Sequence, residues 1–254
     1  MQPTLLFGLL LAATDAAIYF YVGRVLRGRR AASPDARLAW NLFVVWWYAL
    51  AASALFGGLL SLLGAVGITD VALFSTITII NLLGTCVALY GLMYYLLYLF
   101  TGNRRLLAPL TIFYILYFMM LVYYVQASDP SGVVVNRWSA SVQYANQIQG
   151  PFFLFILVLL VFPQILGSLA YFTLFFRVEA PTQKYRILLV SWSIIVWFLS
   201  TFLASISGLG QQDWWQILSR LLGLAAALMI LFSYMPPAWV RRRFGVTSMT
   251  EEGA

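Results

Sequence analysis

Two ionisable residues stand inside long apolar runs, Asp15 and Arg220, and they are the first candidates for chemistry. An ionisable side chain at membrane depth costs roughly 2.5–3.5 kcal/mol on insertion scales, so it is rarely placed there without a partner or a task. Uncharged polar residues lie at comparable depth: Asn81, Thr85, Gln164, Ser168, Ser191, Ser200 and Ser205. Pro163 precedes Gln164 and removes one helical hydrogen bond, which predicts a kink or a locally open backbone. Asp15, Asn81, Thr85, Pro163, Gln164 and Arg220 are therefore the candidates for lining a polar cavity that takes a small ligand. The serines read as interhelical hydrogen bonds; for Asn81 and Gln164, cavity and interhelical bond stand side by side. Asp15 lies about ten residues into the first apolar run and Arg220 about six into the last, roughly 15 Å and 9 Å deep at 1.5 Å per residue. Small residues flank both (Ala12, Ala16; Gly223, Ala227), and the two are expected to pair.

The rest of the side-chain inventory excludes much. There is no histidine, hence no haem ligation, no histidine metal site and no histidine acid–base catalyst. The single cysteine, Cys86, cannot form an internal disulfide or a cysteine-built metal site. No nucleophile–base–orienter set is visible, so no enzyme is expected. Cys86 is expected to be buried and unreactive, since apolar burial suppresses the thiolate.

These residues must be positioned by transmembrane helices. Of 254 residues 63% are hydrophobic and 9% charged, with mean hydropathy +0.89, against roughly 25% charged in a soluble domain. About twenty apolar residues span a bilayer as a helix. Lipid offers backbone groups no partners, so such runs must be helical. The clearest one starts after Asp70, carries no charge through Phe100 and closes on Thr101-Gly102-Asn103-Arg104-Arg105.

Seven such runs are expected, at about 5–26, 38–64, 70–101, 106–125, 151–176, 187–208 and 214–235. They form one all-α, polytopic seven-helix domain over residues 1–240. A short basic, then polar, cytoplasmic tail follows at 241–254. Val133–Val135 and Ser139–Tyr144 could pair as a hairpin across Asn136-Arg137 in the long loop between helices 4 and 5. The net charge of +7 reflects basic residues gathered at helix ends, the positive-inside bias, and not nucleic-acid binding. That bias puts the N-terminus outside and the C-terminus in the cytoplasm. Charge follows the first apolar run and does not precede it, so the run reads as a retained helix and not a signal peptide. Trp46, Trp47, Trp138, Trp214, Trp215 and Trp239 read as interfacial belt residues. Arg241, Arg242 and Arg243 read as an anchor for anionic lipid headgroups or as a docking site for a partner.

Tyr98-Leu99-Phe100-Thr101-Gly102-Asn103-Arg104-Arg105, followed by Leu106-Leu107, resembles the helix 3–helix 4 junction of the bacterial seven-helix sensor region at the N-terminus of some histidine kinases. The long loop 127–150, helix 5 and the basic junction closing on Lys184-Tyr185-Arg186 are similar in order to that family. No kinase or cyclase domain follows. The resemblance implies a stand-alone sensor or receptor-like module in a bacterial cytoplasmic membrane, signalling through a separate protein. Pro163-Gln164 is similar to the Pro-Gln pair of PQ-loop transporters, which carry it in two repeated halves; here it occurs once. A small-solute transporter and a structural subunit of a larger membrane complex are thus the alternatives. Microbial rhodopsins share the topology but bind retinal on a helix-7 lysine. The only lysine here is Lys184, so no retinal is expected, nor any other cofactor. The expected partners are membrane lipids, an unidentified small ligand and a separate signalling or complex partner.

Overall fold

The computed structural model describes residues 3–28, 36–145, 162, 165–210 and 213–247, with side chains of 204–216 outside the description. Six of its helices are long and apolar enough to cross a membrane, as an all-α polytopic membrane protein requires. In chain order α1 is Pro3–Arg27, α2 Arg37–Ala65, α3 Val71–Thr101 and α4 Leu107–Ala127. A shorter apolar helix, α5, runs Ile165–Phe176 and ends in a 3-10 turn. Then come α6 Pro181–Gly210, α7 Asp213–Tyr234 and a short α8, Ala238–Phe244. The first half of the expected fifth span, 151–161, lies outside the described residues, as do Pro163 and Gln164.

Local rules account for the helix ends. Asp70 caps α3, its carboxylate accepting from Leu73 N at 2.7 Å. Gly102 closes α3 in the left-handed conformation at φ 62°, with its N–H on Tyr98 O at 2.8 Å. α6 begins at Pro181, six residues before the expected start. A proline at the first helical position is preorganised for the helix and its missing N–H is not needed there. Lys184 and Arg186 are consequently helical, and the basic junction is shorter than expected. Pro236 and Pro237 stop α7, and the basic run 241–243, expected to begin a tail, sits in α8.

α1 packs on α2 and on α7, α2 on α3, α3 on α4, and α6 on α7. α5 joins α6 through Ser168 Oγ, which donates to Ser191 O at 2.8 Å. Glycines allow close helix approaches. A Cβ on Gly91 of α3 would lie 2.5 Å from Leu42 O of α2, and one on Gly58 of α2 would lie 3.1 Å from Ala12 Cβ of α1.

The main core is aromatic: Tyr19, Phe43, Trp46, Trp47 and Tyr234 gather with Leu92, Ile194 and Phe198. This corrects the interfacial reading of Trp46 and Trp47, which are 5% and 0% exposed. Both lie some nine or ten residues into α2, about 14 Å from its start. Trp47 is ringed by Tyr19, Phe43 and Tyr234 at centroid distances of 6.1, 5.9 and 6.5 Å.

At the end of the bundle holding the α2–α3 link, β1 (Pro130–Val135) pairs antiparallel with β2 (Ala140–Tyr144), Val133 opposite Val142 and Val135 opposite Ala140. The turn between them is closed by Asn136 N on Ser139 O at 2.8 Å. Ala140 and Val142 alternate with exposed Ser141 and Gln143, the period of a half-buried strand. Their buried face packs on Leu60 of α2 and on Phe74 and Ile77 of α3. Burial, with the Tyr124 phenol nearby, pushes the Tyr144 phenol up to about 12.

Candidate functional site: the hairpin turn and Arg220

Arg220 stands two turns into α7, and its guanidinium joins four elements. Nη1 donates to Gly8 O of α1 at 2.9 Å. Nη2 donates to Ser61 Oγ of α2 at 3.1 Å and to Trp138 O in the hairpin turn at 3.2 Å. Thr4 Oγ1 of α1 donates to the preceding carbonyl, Arg137 O. The Phe7 ring meets Trp138 edge-on at 6.3 Å. The turn is thus seated on the first two turns of α1 and fastened by an arginine of α7.

Gly8 makes that seat possible. A Cβ there would stand 3.1 Å from Trp138 O and 3.2 Å from Arg220 Cζ. All three acceptors of Arg220 are uncharged oxygens. Both terminal nitrogens of the guanidinium are thus bonded, and hydrogen bonds from an ionised group are worth about twice neutral ones. Extending toward the hairpin also carries the charge toward the end of the bundle.

The expected Asp15–Arg220 ion pair is not formed: among the described residues the guanidinium's hydrogen bonds go to those three oxygens. Asp15 lies deeper, two turns below Gly8. Its Oδ1 is buried without a hydrogen-bond partner. Its Oδ2 lies 3.5 Å from where a Cβ of Gly223 would be, and Ser200 Oγ approaches the same point at 3.4 Å. Ser200 itself donates to Ser219 O at 2.7 Å, joining α6 to α7. The preference of Arg220 has a physical reason. Three neutral acceptors lie in the direction of the bundle end, whereas reaching Asp15 would draw the charge deeper.

Asn81 and Thr85 sit elsewhere, on the α2–α3 seam. Ser53 Oγ of α2 donates to Asn81 Oδ1 at 2.5 Å and is 3.2 Å from Thr85 Oγ1, which donates to Asn81 O at 3.1 Å. Here the interhelical reading applies. Of the six candidates for a shared cavity the four described ones do not converge: Asn81 and Thr85 hold α2 to α3, and Asp15 and Arg220 occupy two levels of the α1–α7 region; Pro163 and Gln164 lie outside the described residues. A narrow internal cavity among Tyr19, Trp46, Trp47, Ser193 and Trp197 has room for about one water molecule. Among the described residues no group of three His, Cys, Asp or Glu could hold a metal.

Gly8, Ser61, Trp138 and Ser53 carry no mark of this role in the sequence. Two of them act through backbone carbonyls, which every residue has. Ser61 is distinguished only by its depth in an apolar helix, the signal that drew attention to the other serines.

Arg241–Arg243 occupy α8 at the opposite end of the bundle, beside Trp239 and Phe244, which are 65% and 55% exposed. Val240 and Val246 are buried. Thr247, just beyond α8, accepts from Arg186 Nη2 at 3.3 Å through its carbonyl, and its N–H donates to Thr182 Oγ1 at 3.1 Å. The short helix is thereby held across the start of α6. Comparison with protein-family models, with curated proteins and with solved structures gave no match.

Proposed function

We propose that the chain is a seven-helix sensor module of a bacterial cytoplasmic membrane. Its hairpin end faces outward, its α8 end faces the cytoplasm, and it signals through a separate protein. The seventh span is supplied by residues 151–176, of which α5 is the described part. The orientation follows from charge. Of the 15 lysines and arginines, all but Arg137 and Arg220 fall in α8 or in the ends and links at that end of the helices, while Asp70, Asp129 and Asp213 fall at the hairpin end. The positive-inside bias then assigns the α8 end to the cytoplasm.

The observation that carries the sensor reading is the Arg220 junction. One side chain of α7 holds an extramembrane turn together with α1 and α2. A ligand or force that displaces the turn must break or remake those bonds, and three helices that run to the other end of the bundle register the change. The carboxylate of Asp15, with one oxygen unpartnered a turn deeper, offers the freed guanidinium a second resting place. A bistable element of this kind is what a population shift needs.

The test uses spin labels at Arg27→Cys and Thr101→Cys, both at the α8 end, with buried Cys86 left in place and the protein in lipid nanodiscs. Arg220→Gln, or a nanobody bound to the hairpin, is expected to add a second distance population. An unchanged distribution in both cases rejects the sensor reading; accompanied by solute flux in proteoliposomes, it would put a transporter in its place.

A further inference from the structure

A groove of about 590 Å³ runs along the membrane-facing surface between α1 and α7, floored by Ala13, Thr14 and Ala17 and walled by Tyr21, Leu231 and Met235. Its size is in the range of a small-molecule site. Ala13 and Ala17, one turn apart, form a recess between larger neighbours, as at places where helices or chains approach closely. The Thr14 hydroxyl is spent on Leu10 O at 2.8 Å. The floor therefore presents no free donor and suits an apolar occupant.

The α1 wall does not stop at Tyr21. Positions 10, 14, 17 and 21 form one helical stripe, and the next position on it is Arg24, exposed in the last turn of α1. No ion pair of Arg24 occurs among the described residues. On the other wall Met235 leads through Pro236-Pro237 directly into α8, with its arginines and exposed Trp239. The groove is thus apolar along its length, with the Arg24 cation next on its α1 wall. A partner helix would fill the recess but would have no use for that cation.

We propose that this groove holds one anionic phospholipid, an acyl chain lying over Ala13 and Ala17 and the phosphate on Arg24. The site is built from α1 and α7 and does not depend on the sensor reading.

Native mass spectrometry of the full chain, released from nanodiscs of phosphatidylglycerol and phosphatidylcholine in equal parts, tests it. One phosphatidylglycerol per chain is expected, favoured at least about fivefold over phosphatidylcholine, the effect of one arginine near a headgroup. Arg24→Gln should remove most of that preference. Ala17→Phe, which fills the recess, should abolish retention, with its thermal unfolding transition checked against wild type; Ala13→Phe serves if Ala17→Phe does not fold. Equal retention of both lipids by wild type would overturn the proposal. So would retention that survives filling of the recess, which would mean a headgroup held on the surface only. A chain that is dimeric in wild type and monomeric in Ala17→Phe would show the groove to be a helix interface.

Discussion

Asp15 and Arg220 face each other across the α1–α7 seam and turn apart. The carboxylate lies against Gly223, one turn deeper on α7 than Arg220, while the guanidinium reaches the other way to Gly8 O at 2.9 Å and Trp138 O at 3.2 Å. The arginine has its hydrogen bonds and the aspartate lacks one, since Oδ1 is buried without a partner.

That arrangement makes the two residues unequal. Arg220→Gln loses bonds from a charged donor to three elements and should cost about 3 kcal/mol or more, at about 1.5–3 kcal/mol for a bond to a charged group. Asp15→Asn removes a partly buried charge with little to lose and should stay within about 1 kcal/mol of wild type. Thermal unfolding in detergent reads both. Equal losses that the double variant largely recovers are the signature of an ion pair and would contradict the geometry.

What could be read in advance was whatever local rules decide. The start of a helix after Asp70, its close at Thr101-Gly102 and the hairpin across Asn136-Arg137 depend on residues within a few positions of one another. Trp46 and Trp47 depart from the interfacial expectation because that rule concerns aromatic residues near helix ends, while their burial is decided by Tyr19 and Tyr234, far away in the chain. The depth of Arg220 was evident, but its acceptors were not, because backbone carbonyls leave no mark on a sequence. Asp15 and Arg220 do stand on neighbouring helices; they do not pair because a long side chain can satisfy itself away from an opposite charge.

The α2–α3 seam should be intolerant of one methyl group. A Cβ at Gly91 would stand 2.5 Å from Leu42 O, which is backbone and cannot rotate away. Gly91→Ala should lose about 1–3 kcal/mol by overpacking. Gly57→Ala, with nothing within 4 Å of the added carbon, should be neutral or stabilising by about 0.4–1 kcal/mol. A melting temperature for Gly91→Ala equal to that of wild type would mean that the helices are farther apart than described.

Ser53 is the shared partner of Asn81 and Thr85. Ser53→Ala should therefore cost about 0.6 kcal/mol for each interhelical hydrogen bond it removes, and Ser53→Ala with Asn81→Ala should cost less than the sum of the two. Strict additivity in thermal unfolding would separate the residues.

Cys86 packs with Leu89, Tyr114, Tyr117 and Leu121 between α3 and α4 and is 3% exposed. A charged maleimide should leave it unmodified in intact protein and label it after unfolding. Rapid labelling of the folded protein would reveal a water path into that seam.

The seating of the hairpin can be loosened and restored by moving a single methyl group. β2 lies so close to α2 that a Cβ on Gly64 would stand 2.5 Å from Ala140 Cβ. Gly64→Ala should lift the hairpin, at an overpacking cost of about 1–3 kcal/mol. Ala140→Gly removes the opposing carbon and should let the pair fit again. Arg137, exposed in the turn, is a trypsin site, but its backbone is held on both sides: Thr4 Oγ1 donates to its carbonyl and Arg220 Nη2 to the next one. Cleavage there needs the turn to open. When opening and closing are fast, the rate follows the open population, and about 1.4 kcal/mol changes it tenfold. Gly64→Ala should therefore speed cleavage at Arg137 about tenfold in limited proteolysis followed by mass analysis, and Gly64→Ala with Ala140→Gly should bring it back toward the wild-type rate. Arg220→Gln should speed it too, whatever stands at position 64, because it removes a different fastening. Three variants that are all cut at the wild-type rate would mean that neither Gly64 nor Arg220 holds the hairpin on the bundle.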